Sequence, residues 1–480
     1  MDENPTGIQL EMNFNAPSGN RFRQCLENGV FTVLFEHAAP GRELGDDEAA
    51  AKLHLLEKTV LSAVELPCAL ALTDRCWSDN PRRAIEYAAL LPEKSRNSHL
   101  IYLSGRGSNS DEIRGLLAAA HSLNLSNLAV VSGVTRYNET ARDLRKKEFT
   151  ESVKTLQLCR DFQDNNNFFT GATVNAHHYS APALLSSISK LIRKFSLGAE
   201  FAVTQAGFDM AQLDAIRMYL SLSGIHNPLI ARLMLLTPDK VDKITTNAMP
   251  GIAMTGDFQA ILNRELRFSA SQFEAAQYRR LELQAVGCKL AGYSGIQIVG
   301  ADTPEKMRIA ITRISRAFKE FTSFGQWAEE YKFYMARSDM APADQHFYLF
   351  EKLLEKPLPD APLPQLAGYT LPVKSLAERF KSSARRFLFP EADQQPSSER
   401  LWLKKLLADC RGCGKCILPQ TQFFCPYSCP KKLFNGPCGE VTSDGICPAD
   451  GNYCVHLAIW QEAEQRRERY HLESSLIDRP

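Results

Sequence analysis

From residue 21 to residue 300 one pattern recurs: a short run of apolar, β-favouring residues, a turn, then apolar positions at helical spacing. The apolar runs predict eight strands, at Phe31–His37, Cys68–Thr73, His99–Gly105, Leu128–Gly133, Phe169–Asn175, Phe201–Gln205, Leu229–Leu236 and Ile296–Gly300. Helices are predicted between them, as at Asp47–Ala63, Asp111–Leu123 and Ala181–Leu197. The strands are mostly continuous in apolar character, which is the pattern of a parallel sheet buried on both faces. Eight such units in about 280 residues fit an α/β fold of the (β/α)8 TIM-barrel type, with an open doubly wound sheet as the alternative.

After residue 320 the texture changes. Phe321–Leu354 is aromatic-rich and helical in pattern, and Lys356–Pro364 is a proline-rich, extended connector. A basic helical stretch, Leu376–Phe387, and a polar loop, Asp393–Ser398, lead into a cysteine-rich segment that a charged helix, Val455–His471, closes. The expected organisation is an N-terminal extension (1–20), a barrel (21–320), a helical and proline-rich connector (321–400) and a small cysteine-rich domain (401–480).

Charge narrows the partners. Lys and Arg total 56 against 55 Asp and Glu, a net charge of +1, which lacks the basic excess of a nucleic-acid binder. No apolar run reaches the 18 residues of a membrane span, and the start, Met1-Asp2-Glu3-Asn4-Pro5, does not resemble a secretory signal. A cytoplasmic protein is expected. Five of 13 cysteines (Cys25, Cys68, Cys76, Cys159, Cys288) are scattered, and the other eight fall between Cys410 and Cys454. In a reducing compartment such a cluster reads as metal ligands rather than disulfides.

The eight are Cys410, Cys413, Cys416, Cys425, Cys429, Cys438, Cys447 and Cys454. The opening C-x2-C-x2-C and Cys425-x3-Cys429-Pro430 are two halves of a bacterial ferredoxin motif, separated by an insertion. Eight thiolates suffice for two four-cysteine sites. Iron–sulfur clusters are the leading expectation, structural zinc accepts the same ligands, and a mixture is also open. The spacing does not say which four group together.

Cys413-Gly414-Lys415-Cys416, Phe424-Cys425-Pro426, Cys429-Pro430-Lys431, Asn435-Gly436-Pro437-Cys438-Gly439 and Asp444-Gly445-Ile446-Cys447 together resemble the cysteine-rich C-terminal domain found with methylenetetrahydrofolate reductases. The barrel carries matching fragments. Phe35-Glu36-His37-Ala38-Ala39-Pro40 resembles the reductase Phe-Glu-x-x-Pro-Pro, and Lys194, Gly198-Ala199, Thr204-Gln205 and Phe208-Asp209 reproduce a second run. Ser98-His99-Leu100 and the loop Ser104–Asn109 resemble a third and a fourth.

The resemblance implies a folate-linked flavoprotein that reduces 5,10-methylenetetrahydrofolate to 5-methyltetrahydrofolate, or the reverse, with FAD or FMN as hydride carrier. It makes Glu36 the catalytic acid, Gln205 and Phe208 the folate contacts, and Thr73, His99, Arg106, Asn175 and Lys194 the flavin contacts. It further implies iron–sulfur centres that pass electrons to the flavin, an oligomer, and an electron-donating or methyltransferase partner protein. His177-His178 reads as packing rather than a metal pair, since adjacent strand residues face opposite ways. Two positions depart from the family: Gly133-Val134 stands where it has Gly-Asp, and Ser187 where it often has Asp. A non-redox folate-binding or scaffold subunit is the alternative that Val134 favours.

Overall fold

The structure is a computed structural model that describes residues 19–74, 80–136, 139–162, 168–335, 347–351, 365–371, 375–389, 398–413, 416–442, 444–474 and 476–478. The connector Lys356–Pro364, most of the N-terminal extension, most of the Asp393–Ser398 loop and Cys76 lie outside these residues.

Eight parallel strands close into a barrel in sequential order: β1 (Thr32–Ala38), β2 (Cys68–Thr73), β3 (Leu100–Ser104), β4 (Asn127–Val131), β5 (Phe169–Val174), β6 (Phe201–Thr204), β7 (Leu229–Met234) and β8 (Gly295–Val299). Closure is made at β1, where Phe35 stands opposite Leu70 of β2 on one side and Ile298 of β8 on the other. The expected strands are therefore all present, each displaced by at most two residues. The open-sheet alternative is excluded by the β1–β8 pairing. Between β7 and β8 the chain adds three helices, Pro238–Thr245, Gly256–Phe268 and Ala270–Leu290, where one crossover would suffice.

The barrel interior is graded. Its lower part is apolar, with Leu34, Ala69, Leu100, Ala129, Phe169, Phe201 and Ile230 in one buried cluster. The helix Arg21–Glu27 plugs the bottom: Phe22 inserts with its ring 5.9 Å from Phe169 and 5.5 Å from Phe201. Edge-to-face packing of this kind adds to what burial alone contributes. Gly171 in β5 makes it possible, since a Cβ there would lie 2.3 Å from the Phe201 ring.

Beyond the barrel two expectations need correction. Among the described residues the helical reading of Phe321–Leu354 holds for Phe324–Tyr334, while Phe350 forms an antiparallel bridge with Leu366. The closing helix Val455–His471 stops at Gln465, because Arg467 adopts a left-handed backbone (φ 59°) and Glu468 N–H turns back to the Ala463 carbonyl. A short helix, Tyr470–Ser474, follows. Among the described residues no helix is long and apolar enough to cross a membrane.

Gly171→Ala should lower unfolding stability by about 1–3 kcal/mol, the usual scale of core overpacking. Denaturant melts check it, and a Gly171→Ala/Phe201→Leu double variant should recover part of the loss. A neutral single variant would show that the Phe201 ring is not fixed by this gap.

Candidate functional site

Above the apolar layers the barrel interior turns polar. Inward-facing positions supply Glu36 from β1, Tyr102 from β3, Arg232 from β7 and Gln297 from β8. Arg232 grips Glu36 with two parallel bonds, Nε to Oε2 at 2.7 Å and Nη2 to Oε1 at 2.6 Å. Gln297 Nε2 donates a third bond to Glu36 Oε2 at 2.6 Å, and the Tyr102 hydroxyl donates to Gln297 Oε1 at 2.8 Å. Arg232 Nη1 also reaches Gln205 Oε1, just past β6, at 2.7 Å. Enclosure disfavours the Arg232 cation, but the charge and bonds of Glu36 hold its pKa above the ordinary value. Burial pushes the Tyr102 hydroxyl up. Fork-on-carboxylate pairing of this type is strong and directional.

The expected catalytic Glu36 and folate contact Gln205 thus share one network, joined through Arg232. Phe208 stands apart, buried with its ring 5.3 Å from Phe258. Of the residues expected to hold a flavin, Thr73 ends β2, half-buried at the mouth. Asn175, just past β5, donates its amide to the carbonyls of Gly251 (3.0 Å) and Gly439 (2.7 Å). Arg106 donates to the Val134 carbonyl at 2.7 Å, pairs with Glu139 and lies over the Phe149 ring.

His99 does not join the mouth, and Lys194 is committed to a backbone carbonyl near the end of β5. His99 precedes β3 and lies at the opposite end of the barrel, fully buried, accepting from Leu70 N–H at 3.1 Å and 3.4 Å from Glu57. Lys194 is in the last turn of the helix Ala181–Ser196, where its Nζ donates to the Thr173 carbonyl at 2.6 Å. Burial, then the neighbouring Lys190, pulls its pKa well below the lysine range. A flavin needs a phosphate grip and an open wall. With Arg106, Asn175 and Lys194 committed to other partners and His99 at the opposite end, the five residues as assembled do not fit one. His177 and His178 are both buried in the loop after β5, and burial lowers them to about 3 and about 4.

What meets the mouth is the cysteine-rich tail. Asn435 is the hub. Its Nδ2 donates to Glu151 Oε1 (2.5 Å) and the Ile477 carbonyl (3.0 Å), while its Oδ1 accepts from Arg193 Nη1 (2.9 Å) and Ile477 N–H (2.8 Å). Glu151 also accepts the Asn435 N–H at 3.1 Å. A second clasp lies past β4. Glu440 accepts from Thr135 N–H and Oγ1, both at 2.7 Å, and Lys431 Nζ bridges Glu440 (2.7 Å) and the Gly133 carbonyl (2.9 Å). The strand end where Val134 replaces the family's carboxylate therefore receives one from the tail, and Val134 itself is exposed.

The structure brings the tail cysteines into two neighbourhoods. Burial, with Cys410 and Cys413 alongside, raises Cys425, and Cys416 packs against the same apolar cluster. Burial raises Cys429 to about 11 and Cys447 to about 12; Cys438 acts on both, and Cys438 and Cys429 act on Cys454. The sulfurs fall into two sets in chain order, Cys410/Cys413/Cys416/Cys425 and Cys429/Cys438/Cys447/Cys454. Among the described residues no three histidine, cysteine or carboxylate side chains close to metal-holding geometry. The donor chemistry nevertheless fits. Backbone N–H groups of Lys431 and Leu433 point at the Cys429 sulfur, those of His456 and Leu457 at Cys454, and Gly412 N–H at Cys410. Such bonds orient and tune thiolate ligands.

Residues 21–250 match the family model described as methylenetetrahydrofolate reductase, and residues 389–478 the one described as methylene-tetrahydrofolate reductase C terminal. No curated protein matches the chain. Among solved structures it is similar to an uncharacterized protein from Clostridium thermocellum that binds two copies of 5-methyl-5,6,7,8-tetrahydrofolic acid. Identity is 13% and the TM-score 0.44, over 62% of this chain and 100% of that one. It is also similar to the thiamine phosphate pyrophosphorylase of Pyrococcus furiosus, at 12% identity and TM-score 0.30 over the same shares.

Asn435→Ala should remove the side-chain bond to Glu151 and leave the Arg193 guanidinium without its amide partner, costing about 2–3 kcal/mol, the range for bonds to charged groups. Limited proteolysis should then release the tail while the barrel survives. Wild-type protease resistance in this variant would remove Asn435 as the hub of docking.

Proposed function

We propose that this methylenetetrahydrofolate reductase-like protein, a reductase-type barrel carrying that family's C-terminal domain, binds a reduced folate at the barrel mouth and acts on its one-carbon unit. The observation that carries the reading is the convergence of Glu36, Gln205, Arg232 and Gln297 from β1, β7, β8 and the end of β6 in the polar upper layer of the barrel interior, toward the C-terminal ends of the strands. Barrel enzymes of this fold class place their chemistry there. A pterin edge alternates donors and acceptors, and these side chains offer a carboxylate, two amides and a guanidinium to pair with it.

In this reading Arg232 exchanges Glu36 for the pterin carbonyl when substrate enters. Glu36 is then free to carry the proton that the folate nitrogen takes up as the five-membered ring opens. Gln205, already bonded to Arg232, holds the pterin edge in register. The activity assigned is interconversion of 5,10-methylenetetrahydrofolate and 5-methyltetrahydrofolate. A flavin, FAD or FMN, is the hydride carrier the resemblance implies, but its expected contacts do not assemble and no step is derived through it. The two cysteine sets would each hold a metal, as iron–sulfur clusters able to carry electrons or as structural zinc. The first set contains the exposed Cys413 and is the side on which an electron-donating partner would meet the chain.

The committed Arg106 and Asn175 favour a second reading, a folate-binding subunit without redox chemistry. Colour separates the two: protein purified without air should show flavin and cluster absorption under the first, and should be colourless or carry metal alone under the second.

Arg232→Met should weaken 5-methyltetrahydrofolate binding by about 10–100-fold, measured by calorimetry, because it leaves Glu36 an unpaired carboxylate and removes a charged donor. Glu36→Gln should keep binding and slow turnover by on the order of 10²–10⁴. Unchanged affinity in the first variant and unchanged turnover in the second would place folate elsewhere. Cys413→Ser and Cys429→Ser should each lower bound metal by elemental analysis; unchanged metal in both would remove the cysteine sets as ligands.

A further inference from the structure

Lys190 belongs to the barrel, on the helix Ala181–Ser196, yet its ammonium is directed at the tail. It is 5% exposed, and Nζ donates to the carbonyls of Gly436 and Pro437, both at 2.9 Å, in the turn that leads directly into Cys438. Gly436 is built around it. The residue has a positive φ of 111°, and a Cβ there would stand 3.2–3.5 Å from the Lys190 stem, tighter than ordinary contact at its nearest point. Glu151 is the nearest carboxylate, but at 4.0 Å, and its oxygens already accept from Asn435 and the Phe434 N–H. Two of the three lysine protons therefore go to the turn carrying the ligand.

The charge arithmetic explains why a cation is wanted there. Four thiolates around a doubly charged zinc ion or iron–sulfur core leave a net charge of about −2 in a buried site. From the tail, Lys431 lies beside Cys438 and Cys429, but Glu440 pairs with it at 2.7 Å and largely cancels its charge. Burial lowers the Lys190 pKa, and Glu151, Cys438 and Cys429 each oppose that loss.

We propose that Lys190 is a barrel-borne positioning residue of the Cys429/Cys438/Cys447/Cys454 site: its ammonium offsets the charge of the metal-bound thiolates and fixes the Cys438 turn. That site is then a property of the docked two-domain chain, whereas the Cys410–Cys425 site is a property of the tail. The inference rests on the metal reading of the tail.

The test compares wild type, Lys190→Gln and Lys190→Arg as full-length proteins purified without air, following metal loss after a fixed chelator challenge. Lys190→Gln keeps a hydrogen-bond donor and loses the charge. It should release the metal of one set about tenfold faster or more, the scale seen when groups supporting ligands are removed, while the other set keeps its rate. Lys190→Arg should release at the wild-type rate. If the sites hold iron, the midpoint potential of that set should also fall in Lys190→Gln. Lys190→Met, which fills the same space without the charge, should release the same set at least as fast as Lys190→Gln, and it keeps the test decisive if Lys190→Gln does not fold. Equal release from wild type, Lys190→Gln and Lys190→Met, with metal bound in all three, would overturn this inference alone. A wild-type chain purified without metal would overturn the metal reading with it.

Discussion

The buried bond between Asn435 and Glu151 is the constraint on which the two-domain arrangement depends. A carboxylate with little exposure is costly unless its oxygens are bonded, and here Glu151 accepts its hydrogen bonds from the tail segment Phe434–Asn435, with the Lys190 ammonium 4.0 Å away. Asn435 in turn uses both ends of its amide, pairing with Arg193 on the barrel and Ile477 in the tail. Removing either partner strands a buried charge or amide, so the tail and barrel are held as one unit. That fixed pose brings the Gly439 carbonyl to Asn175 and the Glu440 carboxylate to the end of β4.

The barrel beneath is organised by a gradient. Phe22, Phe169 and Phe201 fill the bottom without polar atoms, which leaves the upper level as the place where interior polar groups can meet. Tyr102, Gln297, Glu36, Arg232 and Gln205 form a chain of bonds across it, so each group that could be orphaned by burial has a partner. A ligand entering from the mouth meets polar groups that are already oriented, which lowers the ordering cost of binding.

The barrel was legible in the sequence because buried parallel strands leave continuous apolar runs, and Glu36 and Gln205 were legible because each follows such a run at its far end. Arg232 and Gln297 were not. They sit inside β7 and β8, and one polar residue within an apolar run carries no sign that it faces inward at the level of another strand's carboxylate. His99 and Lys194 show the converse limit. Their neighbours resemble a binding signature, but His99 begins its strand rather than ending it, and the Lys194 ammonium is committed to the Thr173 carbonyl. The placement of Cys438 was hidden for a related reason: the turn that leads into it packs on Lys190 of the barrel, a contact between residues some 250 positions apart in sequence.

The central claim is that a reduced folate binds among these polar groups, at a mouth that the docked tail adjoins. Amide hydrogen exchange of the full-length protein, with and without 5-methyltetrahydrofolate, tests it most directly. Added folate should slow exchange at the C-terminal ends of β1, β6, β7 and β8 and in the Gly436–Glu440 turn, with the bottom of the barrel unchanged. Protection confined to other surfaces, or no protection at saturating folate, would contradict the account.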